Sequence, residues 1–484
     1  MLETWLGLNE EALVLASVAI IWLAGFLFTR ITKLCHLPNA MGYILAGVAI
    51  GPYALNVIPS SLVTDMGFIV DIALSFIAFG MGRYLRFDEI KKSGYGLIVI
   101  IALETLVSAA AVALTMYYVF DLSLSLSLML GAVGSATSPT TNMMLIRKYR
   151  ARGNFVDTLV HVVALDDMVA IIGFSVCAAL AEAAHTLDSF VRAAVITRTI
   201  MLNIGAMALG CGLGYLLTAV INERRSKDHS FVLTCVFLFG LAAFCSAMNI
   251  SPLIPTMIMG AVYANARRKD KVLFKQVTRL SPPITMMFLT LSGMKLNISM
   301  LPAVGIMAIA YFFVRTIGKM TGAYVGCAVT GASTEVRTYL GMALVPLASV
   351  SIGLAALSGR ILSPASSEIL STIILSSCIL SEMIGPMSST IALKLAGAID
   401  NPSTSDAPEG VTTLMEKWHE RERLGKYDDI VYIAKDDADS VGDNAGDNDP
   451  TPPDAVETDL TSEYMDSLDE QERGDNDIHE SDND

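Results

Sequence analysis

Two adjacent carboxylates, Asp166 and Asp167, lie in HVVALDDMVAIIGF, near the middle of an apolar stretch running from about Phe155 to Ala181. A stretch of that length crosses a bilayer, and charge at the midplane is where it costs most. A helix with only a structural duty uses Ala or Leu there. A midplane carboxylate can instead bind a cation or a proton and exchange one for the other, which makes the pair a candidate transport site. Neighbours on a helix point about 100° apart, so the two carboxylates cannot both face one cavity. One lines an ion path; the other reaches toward another helix. AYFFVRTIGKMTGAYVG supplies cations for it, with Arg315 and Lys319 four residues apart on one face of a second apolar stretch. Buried cations need an anion.

Residue type divides the roles. A Lys in a low-dielectric site beside paired carboxylates can trade its proton for a metal cation, whereas Arg keeps its proton. Lys319 therefore takes the competitive, titrating role and Arg315 a fixed pairing, with Glu104 as its partner. The plainer alternative is that Arg315 and Lys319 pair with Glu104 and one Asp only to fix packing. His161 lies five residues before Asp166 and off its face, as a packing histidine or a proton relay. Asp65, Asp71 and Glu382 are candidates to line an aqueous funnel, Asp65 near a membrane surface.

The elements that must carry these groups are apolar throughout. Over 484 residues the mean hydropathy is +0.55 and 17% are charged, which excludes an ordinary soluble domain. Thirteen apolar segments precede residue 400, at about 12–29, 38–55, 62–82, 94–119, 123–146, 155–181, 195–221, 230–248, 252–266, 280–297, 300–328, 334–358 and 367–395. The first reads as a retained helix rather than a signal peptide. Lys and Arg gather after alternate segments: Arg30 and Lys33; Arg83, Arg86, Lys91 and Lys92; Arg147, Lys148, Arg150 and Arg152; Arg224, Arg225 and Lys227; then six between Arg267 and Arg279. The intervening loops are nearly bare, so the N-terminus is expected outside and the C-terminal tail in the cytoplasm. Seven cysteines show no metal-ligand spacing and read as packing thiols.

Two segments look broken. GAVGSATSPTTNMM sets Pro139 among Thr137, Ser138, Thr140 and Thr141, and GMALVPLASVSIG sets Pro346 near Ser349 and Ser351. Each proline removes a backbone donor where hydroxyls can satisfy the freed carbonyls. Interrupted helices in corresponding positions of two halves point to a midplane substrate site, whereas a proline kink in each helix is the bland alternative.

Together these residues resemble the monovalent cation/proton antiporters, in particular the bacterial sodium/proton branch with thirteen spans. The resemblance covers about residues 12–395 and is carried by LPNAMGYILAGVAIGP, ATSPTT, ALDD, FLTLSGMKLN, RTIGKMTGAYVG and LVPLASVSIGLA in that order. It implies a homodimer whose core domain, carrying two crossed broken helices, moves against a dimerisation domain. It also implies roles: Asp167 as the essential cation and proton carrier, holding sodium transiently; Asp166 as the partner of Lys319; Thr137 near the ion, with Ser138 beside it. In the family Asp-Asp with a Lys goes with electrogenic exchange. The second break departs from relatives, with Leu347, Ala348 and Ser349 in place of acidic or Gln-Gly-Gly residues, and no G-x-G-x-x-G follows for nucleotide control.

The net charge of -14 divides unevenly. Residues 401–484 hold 26 acidic against 6 basic residues, leaving 27 basic against 21 acidic before them. Such a tail cannot bury enough surface to fold. Within it TTLMEKWHERERLG is a candidate helix and DIVYIA a candidate partner peptide.

The expectation is an all-α polytopic protein of the bacterial inner membrane, not an enzyme. About thirteen transmembrane helices with inverted repeats occupy residues 1–400, and a disordered acidic tail follows at 401–484. It exchanges sodium, or lithium, for protons. Potassium/proton exchange, a gated cation channel and a non-transporting sensor are the alternatives. No cofactor and no nucleic acid is implied; lipid, a second copy of the chain and a cytoplasmic partner of the tail are the expected contacts.

Overall fold

The computed structural model describes residues 10–34, 38–184, 189–221, 227–248, 250–267, 272–347 and 349–399. The tail at 401–484, with both of its candidate segments, lies outside them. The described residues form helices and no strand: α1 (Glu10–Leu34), α2 (Asn39–Ile50), α3 (Ser60–Asp65), α4 (Phe68–Gly82), α5 (Phe87–Tyr118), α6 (Leu124–Gly134), α7 (Pro139–Tyr149) and α8 (Asn154–Ala184). Then come α9 (Ser189–Val220), α10 (Lys227–Ala247), α11 (Leu253–Ala266), α12 (Val272–Met294), α13 (Leu301–Thr330), α14 (Thr334–Ala343), α15 (Ser349–Ser358) and α16 (Pro364–Leu395). Among the described residues, eight helical stretches are long and apolar enough to cross a membrane, while α2, α6, α11 and α15 are shorter apolar helices.

The helices pack as two groups. The first holds α1 to α4 and α9 to α12; the second holds α5 to α8 and α13 to α16. Within the second, each half reads long helix, broken helix, long helix: α5, α6 with α7, α8, then α13, α14 with α15, α16. The long helices α5 and α13 form its spine, and glycine allows their closeness. A Cβ on Gly318, Gly322 or Gly326 would meet the backbone of Ser108, Glu104 or Ile100 at 2.8, 2.6 and 2.8 Å. Small residues at this spacing let membrane helices touch backbone to backbone. The register runs up one helix as it runs down the other, so the two halves traverse the bundle in opposite senses. It also sets Lys319 level with Glu104.

Both breaks are present. α6 ends at Gly134 and α7 starts at Pro139, which occupies the first helical turn where its missing N–H is not needed. The Ser138 hydroxyl caps α7, accepting from the Thr141 N–H. α14 ends at Ala343 and α15 starts at Ser349, with Pro346 between them. The breaks meet directly: the Ser138 N–H donates to the Pro346 carbonyl at 3.0 Å. Three serines of α16 serve the end of α14, with Ser381 donating to Val345, Ser388 to Met342 and Ser389 to Ala343.

The two groups are clasped by polar side chains at one end. Arg360, just past α15, pairs at 2.7 Å with Asp71 in the first turn of α4. Glu368 of α16 accepts from Asn297 at 2.6 Å and from Tyr53 at 3.2 Å. Asp71, expected in a funnel, is thus committed to an ion pair, and Asp65 is exposed at the end of α3.

Candidate functional site

The site forms where α5, α8 and α13 face the breaks. Asp166, Asp167, Glu104, Arg315 and Lys319 are all fully buried. As the 100° offset requires, the two aspartates part company. Asp166 turns to α5 and α13: its Oδ2 lies 2.8 Å from Lys319 Nζ, and its Oδ1 accepts from the Thr105 hydroxyl at 3.0 Å. Asp167 turns toward the first break, where Thr137 presents its backbone N–H without closing a hydrogen bond. Neither oxygen of Asp167 has a hydrogen-bond partner among the described residues, and neither does the Thr137 hydroxyl.

The cations are paired differently from the sequence expectation. Lys319, not Arg315, holds Glu104: Nζ lies 2.7 Å from Glu104 Oε2, so one ammonium bridges two carboxylates. Arg315 spends its guanidinium on backbone. Nε donates to Gly134 at 2.6 Å, Nη2 to Ala136 at 2.7 Å and Nη1 to Val345 at 2.7 Å. The physical reason is the breaks themselves. Each leaves carbonyls at a helix C-terminal end, where partial negative charge accumulates, and a planar fork of donors suits several acceptors at once. Hydroxyls of the proline-flanking residues were expected to satisfy these carbonyls; Arg315 and the serines of α16 do so instead.

Other expected residues separate. The Ser138 hydroxyl is engaged in capping and in contact with the Thr141 hydroxyl, which leaves its backbone N–H, held by Pro346, as its link to the site. Pro139, Pro346 and Ser349 shape the breaks, and the side chain of Thr140 lies outside the described residues. His161, only partly buried, donates from Nδ1 to the Asp157 carbonyl one turn back on its own helix. Three participants escaped the sequence reading: Thr105; Asn142, which donates to the Ala343 carbonyl at 3.0 Å and ties α7 to the second break; and the α16 serines. Ser381 and Ser388, seven residues apart, share one helix face, a polar pair legible in principle, with Ser389 about 100° round from Ser388.

Three buried carboxyl groups therefore face two buried cations, and one of those cations is occupied with carbonyls. The transmembrane sodium/hydrogen exchanger family matches the chain over residues 14–394. The chain belongs to the sodium/hydrogen exchanger family. Its fold is that of the sodium proton antiporter MjNhaP1 from Methanocaldococcus jannaschii. The structure of that protein at pH 8 is 20% identical, with a TM-score of 0.67 over 80% of this chain and all of the other. A map of the same antiporter by electron microscopy gives a TM-score of 0.65 at 20% identity over 81% of this chain and all of the other. No curated protein matches the chain. This exchanger is accordingly a multi-pass membrane transporter for cation/proton antiport.

Proposed function

We propose that this exchanger expels sodium, and lithium, in electrogenic exchange for protons, with Asp167 as the group that carries cation and proton in turn. One observation carries the reading: Asp167 is fully buried with both oxygens unpartnered among the described residues, while Glu104 and Asp166 share the Lys319 ammonium. An uncompensated buried carboxylate is costly, and one monovalent cation or one proton removes that cost. The Thr137 hydroxyl, also unpartnered, is the neutral oxygen nearest in role. Alternating access follows from the two helix groups, the second carrying the site past the first. In this reading the chain has thirteen spans with the N-terminus outside and the tail in the bacterial cytoplasm. It works as a homodimer in ion and pH homeostasis.

The test is cation-induced proton flux in proteoliposomes with sodium, lithium and potassium. Sodium- and lithium-dependent flux that responds to membrane voltage is the expected result; flux with potassium alone would make it a potassium/proton exchanger. Lys319→Gln, which strips Glu104 and Asp166 of their shared cation, is expected to retain cation exchange but lose its voltage response. An unchanged voltage response would remove Lys319 from the coupling.

The clasp gives a test of the movement. In the proposed orientation it lies on the outer side, and it must open when the site faces outward. Linking Asp71→Cys to Arg360→Cys with a short, reducible thiol crosslinker is expected to stop exchange, and reductant to restore it. Exchange at the uncrosslinked rate would show that the groups do not separate at this end.

A further inference from the structure

Asp166 is held on both oxygens, by the Lys319 ammonium and by the Thr105 hydroxyl. Lys319 bridges Glu104 Oε2 and Asp166 Oδ2 at 2.7 and 2.8 Å. On the opposite side the Thr105 hydroxyl donates to Asp166 Oδ1 at 3.0 Å and stands 3.4 Å from Glu104 Oε1. The four groups close a ring: carboxylate, ammonium, carboxylate, hydroxyl. Thr105 is itself only 3% exposed, so its hydroxyl has little access to solvent. Lys319 does not by itself account for the ring, because Glu104 already supplies it with a counterion. The 100° offset points the two side chains apart and Lys319 holds Oδ2, yet rotation about χ1 and χ2 can still swing an Asp166 oxygen that has no second partner toward a cation at Asp167, its neighbour in the chain.

We propose that Thr105 is a positioning residue for the transport site: its hydroxyl holds Asp166 in the ring with Glu104 and Lys319 and so leaves the cation to Asp167 alone. The proposal rests on the reading of Asp167 as the cation carrier. Its consequence is for affinity. Ligand charge sets how tightly an oxygen site holds a cation, and a transported ion must bind weakly enough to leave in every cycle. One carboxylate with neutral oxygens meets that need. Two carboxylates on one sodium bind it more tightly and release it more slowly.

Thr105→Val keeps the β-branched shape and removes the donor. Apparent KM for sodium and maximal rate are expected to fall together, each about tenfold, an energy difference of one power of ten in the binding constant. Sodium-dependent thermal stabilisation of the purified protein should half-saturate at a correspondingly lower concentration, a readout independent of transport. Thr105→Ser, which keeps the hydroxyl, should return both values toward wild type. Thr105→Ala carries the same expectation as Thr105→Val and serves if the valine variant does not fold. A general packing defect lowers the rate with KM unchanged or raised; that pattern, or a serine variant no better than valine, overturns the proposal. Asp167→Asn in the same sodium titration separates the two failures. If it still shows sodium-dependent stabilisation, the carrier reading falls; if it shows none while Thr105→Val binds sodium as wild type does, only the role of Thr105 falls.

Discussion

Asp167→Asn should abolish cation-dependent proton flux while leaving the protein folded and, if anything, more stable. The substitution keeps the shape of the side chain and deletes a fully buried charge whose two oxygens have no hydrogen-bond partner among the described residues. Removing an uncompensated buried charge relieves a desolvation cost, so the melting temperature is expected to hold or rise. Transport goes the other way. An amide neither takes up a proton at neutral pH nor offers sodium a full negative charge, and both halves of the exchange stop. A loss of at least about 100-fold is expected, since each factor of ten in rate is only about 1.4 kcal/mol. Flux and thermal unfolding measured on the same preparation decide the matter. Retained flux would take Asp167 out of the carrier role, and lost flux with lost stability would make it a structural residue. The effect should not spread to Asp166→Asn in the same form, because Asp166 is held by Lys319 and Thr105.

How much of this was legible beforehand follows from what each residue does. The apolar segments and both breaks follow from composition and from proline, whose missing N–H acts locally. Asp166 and Asp167 stood out because a midplane charge is rare enough to need a reason. The divergence of the two carboxylates was legible from the 100° offset of neighbours on a helix, though not the groups that hold Asp166 in place. The partner of Arg315 was not legible, because it is not a side chain. Backbone carbonyls left over at a break carry no sequence signature of their own, so the charge count steered Arg315 to Glu104, and Lys319 took that carboxylate instead. Gly318, Gly322 and Gly326 recur every fourth residue, but only the structure gives the helix they approach and so the level at which Lys319 meets Glu104. Thr105 carries no charge and sits in an apolar run, where a hydroxyl more often bonds its own helix. Its reach to Asp166 is a tertiary fact.

Arg315 is where the structure predicts the largest loss of stability. Its three hydrogen bonds join the end of α6, the first break and the second break in one planar fork, and all the acceptors are out of water. A charge-assisted hydrogen bond contributes about 1.5–3 kcal/mol, and an acceptor left buried without a donor costs about 1–3 kcal/mol. Three together approach the roughly 5–15 kcal/mol that holds a typical domain folded. Arg315→Gln is therefore expected to yield little folded protein. Arg315→Lys keeps the charge but offers a compact ammonium that cannot reach carbonyls of both breaks with the fork's geometry. It should fold with a clearly lower melting temperature and exchange at least about tenfold more slowly, an effect worth about 1.4 kcal/mol on the barrier. A carboxylate partner would make a different prediction. If Arg315 depended on Glu104, then Glu104→Gln would reproduce the Arg315→Lys phenotype, and the double variant would be no worse than either single one. The geometry has Glu104 on Lys319, which keeps Asp166 when Glu104 is neutralised. Glu104→Gln should accordingly be the milder change, its effect on stability adding to that of Arg315→Lys but coupling strongly to Lys319→Gln, as groups in direct contact do. Coupling of Glu104 to Arg315 instead of to Lys319 would mean that the breaks are held by charge pairing and not by the carbonyl fork.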